Sequence, residues 1–188
     1  MIKKELRKKY KELRKVLTQT EIEELSIQIA NNTLQIPIWD KNNYHLFLPI
    51  QKLHEINTEY VMHILQGRDK NIIISKSDFE TNQMAHYLLT DNTKLKINEF
   101  GIPEPVNGIQ VLEQDIEVVF VPLLAFDTKG NRVGYGKGFY DIFLQKCNPN
   151  TLKVGLSFFE AEATINDVYE GDIKLDFCIT PNKIYEYK

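Results

Sequence analysis

Cysteine is scarce in this chain of 188 residues: Cys147 and Cys178 are the only two, far apart and outside any CxxC pattern. That excludes a disulfide framework and a zinc ribbon, and a reducing cytoplasm suits two free thiols best. Long apolar runs are missing too, so neither a signal-peptide core nor a membrane span is expected. The start, MIKKELRKKY, alternates charge with single apolar residues instead. A soluble protein without a membrane partner follows. There is no excess of positive charge: a formal net charge of -3 gives no global electrostatic reason to bind nucleic acid, and no such partner is expected. Internal repeats, low-complexity tracts and linkers are absent. With 43% hydrophobic residues, the sequence reads as one globular domain over residues 1–188, expected to act as a monomer.

What is present begins with helical periodicity. Leu6, Tyr10, Leu13 and Leu17 are spaced by four, three and four, which marks one helix face, while Lys3, Arg7, Lys11 and Arg14 form a second, basic stripe. Thr20 with Glu23 reads as a capping box, predicting a second helix that carries Ile22, Leu25 and Ile29 inward. YHLFLP at 44–49 and NIIIS at 71–75 read as strands around a helix near TEYVMHILQ, the beginning of a βαβ pattern. IEVVFVPLLAFD at 116–127 opens with a β-branched and aromatic run suited to burial on both faces of a parallel sheet. FYDIFLQKC then reads as helix, and KVGLSF and LDFCIT as further strands. The stretch 79–115 carries no clear pattern, and its FGIPEP segment, with two prolines, reads as an irregular connection. The alternation predicts an α/β fold: a single three-layer α/β/α domain with a mainly parallel sheet and Rossmann-like, sugar-phosphate isomerase-like topology.

RVGYGKGFYD, residues 132–141, places glycines at 134, 136 and 138 with a lysine and aromatics between them. Glycine has the most backbone freedom to lose, so its repeated use here points to a loop whose backbone must approach something closely. In an open α/β sheet the segment after the strand at 116–127 lies beyond the carboxyl strand ends, where loop amides and a helix N-terminus hold phosphates. The stretch is not a Walker A loop, which would need Gly at Asn131 and Ser or Thr at Gly138, nor a GxGxxG fingerprint, which would need Gly at Phe139. Arg132 and Lys137 supply cations for phosphate oxygens, and Asp141 a carboxylate suited to magnesium.

These residues resemble the 5-formyltetrahydrofolate cyclo-ligases, also called 5,10-methenyltetrahydrofolate synthetases. The resemblance runs through KKELRKKY, EINTE at 55–59, FGIPEP at 100–105, VPLLAFDTKGNRVGYGKGFYD at 121–141 and GDIKLDFCIT at 171–180. The long central block is highly specific, and the others gain weight from their order. The resemblance implies closure of 5-formyltetrahydrofolate, free or polyglutamylated, to 5,10-methenyltetrahydrofolate, with ATP and Mg2+ required and ADP and phosphate released.

By position, the resemblance implies that ATP is met by Lys3, Lys4 and Arg7 and by the loop Arg132, Gly134, Tyr135, Gly136, Lys137, Gly138, Phe139 and Tyr140. It implies folate contacts from Leu48, Ile50, Glu55, Phe100, Tyr135 and Phe139, and a metal held by Asp141 and Asp172, with Asp176 the alternative to the latter. Phe100 stands where members of the family often carry an aromatic residue or tryptophan. Lys137, Arg132 and Tyr140 are the candidate catalytic residues.

A formamide carbon is a poor electrophile and its oxygen a poor leaving group. Transfer of the γ-phosphoryl group to that oxygen would activate it for attack by N10, and such chemistry needs positioning and charge neutralisation rather than a covalent nucleophile. The sequence accordingly shows no serine elbow and no Cys/His pairing; His45, His54, His63 and His86 form no metal-ligand motif and are expected, with Trp39, to serve surface or packing. A phosphosugar- or nucleotide-binding module without ligase activity, and an RNA-binding relative, are the alternative readings.

Overall fold

A computed structural model describes residues 1–187. Two helices open the chain, α1 (Lys3–Lys15) and α2 (Gln19–Thr33), followed by β1 (Asn43–His45), α3 (Glu59–Gly67), β2 (Asn71–Asp78) and β3 (Gln83–Leu88). Short strands β4 (Leu95–Ile97), β5 (Pro103–Pro105) and β6 (Gln110–Val111) lead to β7 (Val118–Pro122). The ribbon β8 (Ala125–Phe126) and β9 (Arg132–Val133) precedes α4 (Phe139–Lys146), and β10 (Leu152–Leu156), β11 (Phe177–Ile179) and β12 (Ile184–Glu186) complete the chain.

Eight strands form the central sheet in the order β12-β11-β10-β7-β1-β2-β3-β6. The inner five, β11-β10-β7-β1-β2, are parallel, and β12, β3 and β6 add antiparallel edges. The chain leaves β1 for β2 on one side and later for β7 on the other, so the strand order reverses between β1 and β7. A crevice opens at such a reversal, beyond the carboxyl strand ends.

β7 shows why the sheet must be covered twice. Val118 and Phe120 pack into the cluster containing Ile22, Ile29, Val61 and Leu65 of α2 and α3, whereas Val119 and Val121 join Phe143 and Leu144 of α4. Side chains alternate along a strand, so an unbroken apolar run feeds both faces. The expected three layers are present. A third cluster joins Leu6 and Tyr10 of α1 to Leu124, Ala125 and Val133, which seats α1 on the β8–β9 ribbon beside the crevice.

Several local expectations are corrected. The cap of α2 is Thr18, paired with Glu21 in a capping box, not Thr20 with Glu23. The buried face of α1 is Lys3, Leu6, Tyr10 and Arg14, while Leu13 is exposed: Leu6 and Tyr10 pack on the β8–β9 ribbon, Lys3 lines a cavity, and Arg14 is held by hydrogen bonds to Tyr135 and the Leu123 carbonyl. The strand expected at 44–49 ends at His45, although the Leu46 amide still donates to the Ile73 carbonyl. The run at 116–127 divides at Pro122, its remainder turning away as β8. The 79–115 stretch holds four strands, and FGIPEP, expected to be irregular, contributes one of them, β5. Trp39 does pack, stacked on Tyr44, and both cysteines are free and buried. Among the described residues no helix is long and apolar enough to cross a membrane.

Candidate active site

A cavity of about 660 Å³ fills the crevice. All the positions proposed from sequence line it: Lys3, Lys4 and Arg7 from α1, Leu48, Ile50 and Glu55 after β1, Phe100, residues 134–141 with Arg132, and Asp172. Sequence separations of more than 160 residues are closed by the fold. Asp176 does not line it: its carboxylate accepts from the Lys153 amide at 2.7 Å, at the amino end of β10 and so opposite the cavity.

The glycine loop is held by its surroundings. Asp127, fully buried, accepts from the amides of Lys129, Asn131 and Ile165 and from the Asn131 side chain, which fixes the turn before β9. Gly136 (φ +94°) and Gly138 (φ +76°) are left-handed, where a Cβ is strained. Arg7 Nε donates to the Gly134 carbonyl at 2.9 Å, so α1 clamps the loop directly. Gly138 caps α4 without a side-chain acceptor, leaving the first amides of that helix directed at the cavity.

Cations and carboxylates alternate around the loop. Arg132 donates to Asp141 Oδ1 at 2.7 Å, and Lys3 Nζ pairs with Asp172. The Ile173 amide, next in the chain to Asp172, donates to Asp141 Oδ1 at 3.3 Å, so the backbone beside Asp172 meets Asp141. Among the described residues no group of three or more His, Cys, Asp or Glu could hold a metal, so these two stand alone. Two carboxylates with further oxygens from phosphate and water match how magnesium is bound. Arg132 Nε is buried without an acceptor, an orphaned donor beside them that suits a phosphate oxygen. Lys137 is exposed on the loop.

The other side of the cavity is aromatic. Phe79, which sequence reading missed, lies tilted by 32° against Phe100 with ring centroids 4.1 Å apart and meets Phe139 edge-on at 5.1 Å. Such a grouping accepts a flat heterocycle. Glu55 is buried, its Oε2 accepting from the Ile50 amide and its Oε1 from the Tyr135 hydroxyl, each at 2.7 Å. Burial pushes its carboxyl above the usual range, opposed by the nearby Arg14 charge and by these two donors. Arg14 completes the group, donating Nη1 to the Tyr135 oxygen at 2.9 Å and Nη2 to the Leu123 carbonyl. Sequence reading placed Arg14 only on a basic stripe; its i, i+4 relation to Tyr10 was the available signal. Tyr140 lies beside the His45 ring, and burial followed by the Glu55 charge keeps its phenol protonated, a donor rather than a base.

Comparison with known proteins shows the family. A family model described as the 5-formyltetrahydrofolate cyclo-ligase family matches residues 1–180. A mouse 5-formyltetrahydrofolate cyclo-ligase is 30% identical over 162 residues, covering 79% of this chain and 75% of its own. The protein of that name from Escherichia coli K12 is 27% identical over 180 residues, covering 93% of this chain and 97% of its own. Among solved structures, 5,10-methenyltetrahydrofolate synthetase from Aquifex aeolicus superposes with a TM-score of 0.84 at 31% identity, covering 100% of this chain and 94% of that one. The chain belongs to the 5-formyltetrahydrofolate cyclo-ligase family, a family of ligases.

Proposed function

We propose that this protein closes 5-formyltetrahydrofolate to 5,10-methenyltetrahydrofolate at the expense of ATP, releasing ADP and phosphate. The observation that carries the reading is the convergence, in one cavity, of the clamped glycine loop, two carboxylate–cation pairs and an aromatic wall with buried Glu55. One end suits a polyphosphate and the other a pterin. The folate ring system would lie against Phe79, Phe100 and Phe139, with Leu48 and Ile50 at its edge and Glu55 accepting from its polar rim.

The loop amides, Lys137 and Arg132 neutralise the charge that spreads over the transferring phosphoryl group as the formyl oxygen attacks it. Tyr140 donates a hydrogen bond toward the reacting centre. N10 then attacks the activated carbon, and phosphate departs. Lys3, Lys4 and Arg7 bring positive charge from α1 over the nucleotide, and Lys3 also steadies Asp172. Asp141 and Asp172 would hold magnesium, which when bound supplies charge neutralisation at the phosphates.

We also infer that the protein is a cytoplasmic monomer. Buried thiols at Cys147 and Cys178, the former raised by burial to about 12, suit a reducing compartment, and all the groups invoked come from a single chain.

The test is to mix protein with 5-formyltetrahydrofolate and magnesium and follow the near-ultraviolet band of methenyltetrahydrofolate with and without ATP. Growth only with ATP is expected; growth without it, or none at all, overturns the reading. Lys137→Ala is expected to lower kcat by about 100-fold or more, the scale of losing one transition-state contact, with an unchanged melting temperature.

A further inference from the structure

Arg14, in the last turn of α1, is 4% exposed and does not line the cavity. Its acceptors are the Tyr135 oxygen, 2.9 Å from Nη1, and the Leu123 carbonyl, to which Nη2 donates. Neither acceptor is charged. A guanidinium is not deprotonated in a protein, so a full positive charge stands here, shielded from water. Such a charge is costly unless an opposite one is within reach. The anion that answers Arg14 is Glu55, reached through a single phenol: the Tyr135 hydroxyl is 2.7 Å from Glu55 Oε1.

The direction of each hydrogen bond follows from the donors alone. Arginine only donates, so the Tyr135 oxygen accepts from Nη1 and its one hydrogen goes to Glu55 Oε1. Burial, and then the Glu55 charge, keep that phenol protonated. The Ile50 amide likewise can only donate, to Oε2 at 2.7 Å. Both Glu55 oxygens therefore accept, which favours the carboxylate over the acid, whose hydroxyl hydrogen would need an acceptor of its own. Each oxygen keeps a further acceptor site, and Glu55 lines the cavity.

Burial works against the charge on Glu55, and Arg14 is the largest influence in the other direction, ahead of the Ile50 amide and the Tyr135 hydroxyl. Tyr140 of α4 also feels the Glu55 charge, which helps to keep its phenol protonated. Lys52 and His54 adjoin Glu55 in the chain, and Lys52 lines the same cavity. Other cations on the wall are engaged elsewhere: Arg7 with the Gly134 carbonyl, Arg132 with Asp141, and Lys3 with Asp172. Arg14 is thus the counter-ion built for Glu55.

We propose that Arg14 is a positioning residue for the folate: through the Tyr135 hydroxyl it holds Glu55 as an oriented anion, which takes two neighbouring N–H groups of the pterin, its lactam N–H and its exocyclic amine. This rests on the proposed cyclisation, from which the pterin is taken. A carboxylate facing two adjacent donors pairs with both, which fixes the ring in its plane as well as binding it. No step of the phosphoryl transfer runs through Arg14, so its loss weakens the folate and leaves the chemistry nearly intact. The weakening depends on pH: without its counter-ion Glu55 takes up a proton more readily, and protonation turns one acceptor into a donor facing an N–H group.

Calorimetric titration with 5-formyltetrahydrofolate, without ATP so that nothing turns over, tests this in wild type, Arg14→Met and Arg14→Lys at about pH 6.5, 7.5 and 8.5. The wild-type Kd should change by less than about threefold over this range. Arg14→Met should bind about tenfold more weakly at the middle pH, one pKa unit being a factor of ten, and should recover most of the loss at the highest. Arg14→Lys keeps the charge and should stay within about threefold of wild type throughout. In both variants kcat and KM for ATP should change by less than about threefold. A Kd for Arg14→Met equal to that of wild type, a weakening equal at all three pH values, or the same weakening in Arg14→Lys would overturn the assignment. Should Arg14→Met not fold, Tyr135→Phe, which breaks the bridge and keeps the ring, decides by the same dependence on pH. Wild-type protein that binds 5-formyltetrahydrofolate but forms no methenyltetrahydrofolate with ATP overturns the cyclisation and leaves Arg14 to be judged by the titrations, so the two failures are distinguishable.

Discussion

Tyr135 donates its phenolic hydrogen to Glu55 across 80 residues of sequence, at 2.7 Å, and receives one from Arg14 at 2.9 Å. The glycine loop, the segment after β1 and helix α1 thus share one buried hydrogen-bonded group. Its members are interdependent: without the phenol, Glu55 loses a donor in a buried setting and Arg14 keeps a charge with fewer acceptors.

Tyr135→Phe keeps the ring and removes only this link. An unpaired buried charge-assisted bond costs about 1–3 kcal/mol, which for a chain of this size lowers the melting temperature by roughly 3–8 °C. KM for 5-formyltetrahydrofolate should rise about tenfold, because Glu55 loses its orientation, while KM for ATP changes less. Thermal melts and steady-state kinetics check both. A variant as stable as wild type with an unaltered folate KM would show that the link orders nothing.

Gly136 makes a sharper test of the loop. A Cβ there would meet the Arg7 guanidinium at 3.2 Å, on a backbone already at φ +94°, whereas a Cβ at Gly134 would meet nothing within 4 Å. Gly136→Ala should therefore displace Arg7 or flatten the loop, at about 1–2 kcal/mol, and raise KM for ATP about tenfold. Gly134→Ala should cost distinctly less. Equal effects at the two positions would mean that loop glycine serves something other than this approach.

Asp141 and Asp172 are separable from Asp176 by the same reasoning. Asn at either of the first two removes a charge beside the phosphate end of the cavity, and the magnesium concentration for half-maximal activity should rise by about tenfold or more. Asp176→Asn should leave that concentration unaltered, since Asp176 is bound to Lys153 at the far end of the sheet. Titration of activity with magnesium after chelation reads all three. A shift for Asp176→Asn as large as for Asp172→Asn would reverse the assignment.

How far the sequence reveals this site depends on whether its determinants are local. The loop at 132–141 is legible because spacing, charge and strand context lie within a few residues of one another. Arg14 was not recognised as buried, since its partners Tyr135 and Leu123 lie over 100 residues away. Thr18 and Thr20 each precede a glutamate by three, so pattern alone could not choose the cap of α2. β3 to β6 escaped because short, half-exposed antiparallel strands carry little periodicity and are fixed by pairing, β3 with β2, β6 with β3, and β4 with β5. That pairing also sets Ser75 opposite His86, and no local signal announces it.

The buried histidines give the fold a dependence on pH whose direction is fixed by their depressed values. A histidine bound neutral in the folded state takes up fewer protons than in the unfolded chain wherever pH lies between its two values, so stability falls as pH is lowered through that range. For His86 the window runs from 6.5 down to about 4, with desolvation the main cause, Glu113 opposing it and Lys146 adding to it. His45 acts in the same direction. Glu55, raised by burial, acts oppositely, its contribution growing as pH falls. Stability from His86 should be complete above pH 6.5 and reduced by about 2 kcal/mol at pH 5, at 1.36 kcal/mol per pKa unit. Urea midpoints at pH 7.5 and pH 5 measure it in wild type and His86→Gln. The variant should lose less on acidification than wild type; an equal loss would place the acid sensitivity in other groups.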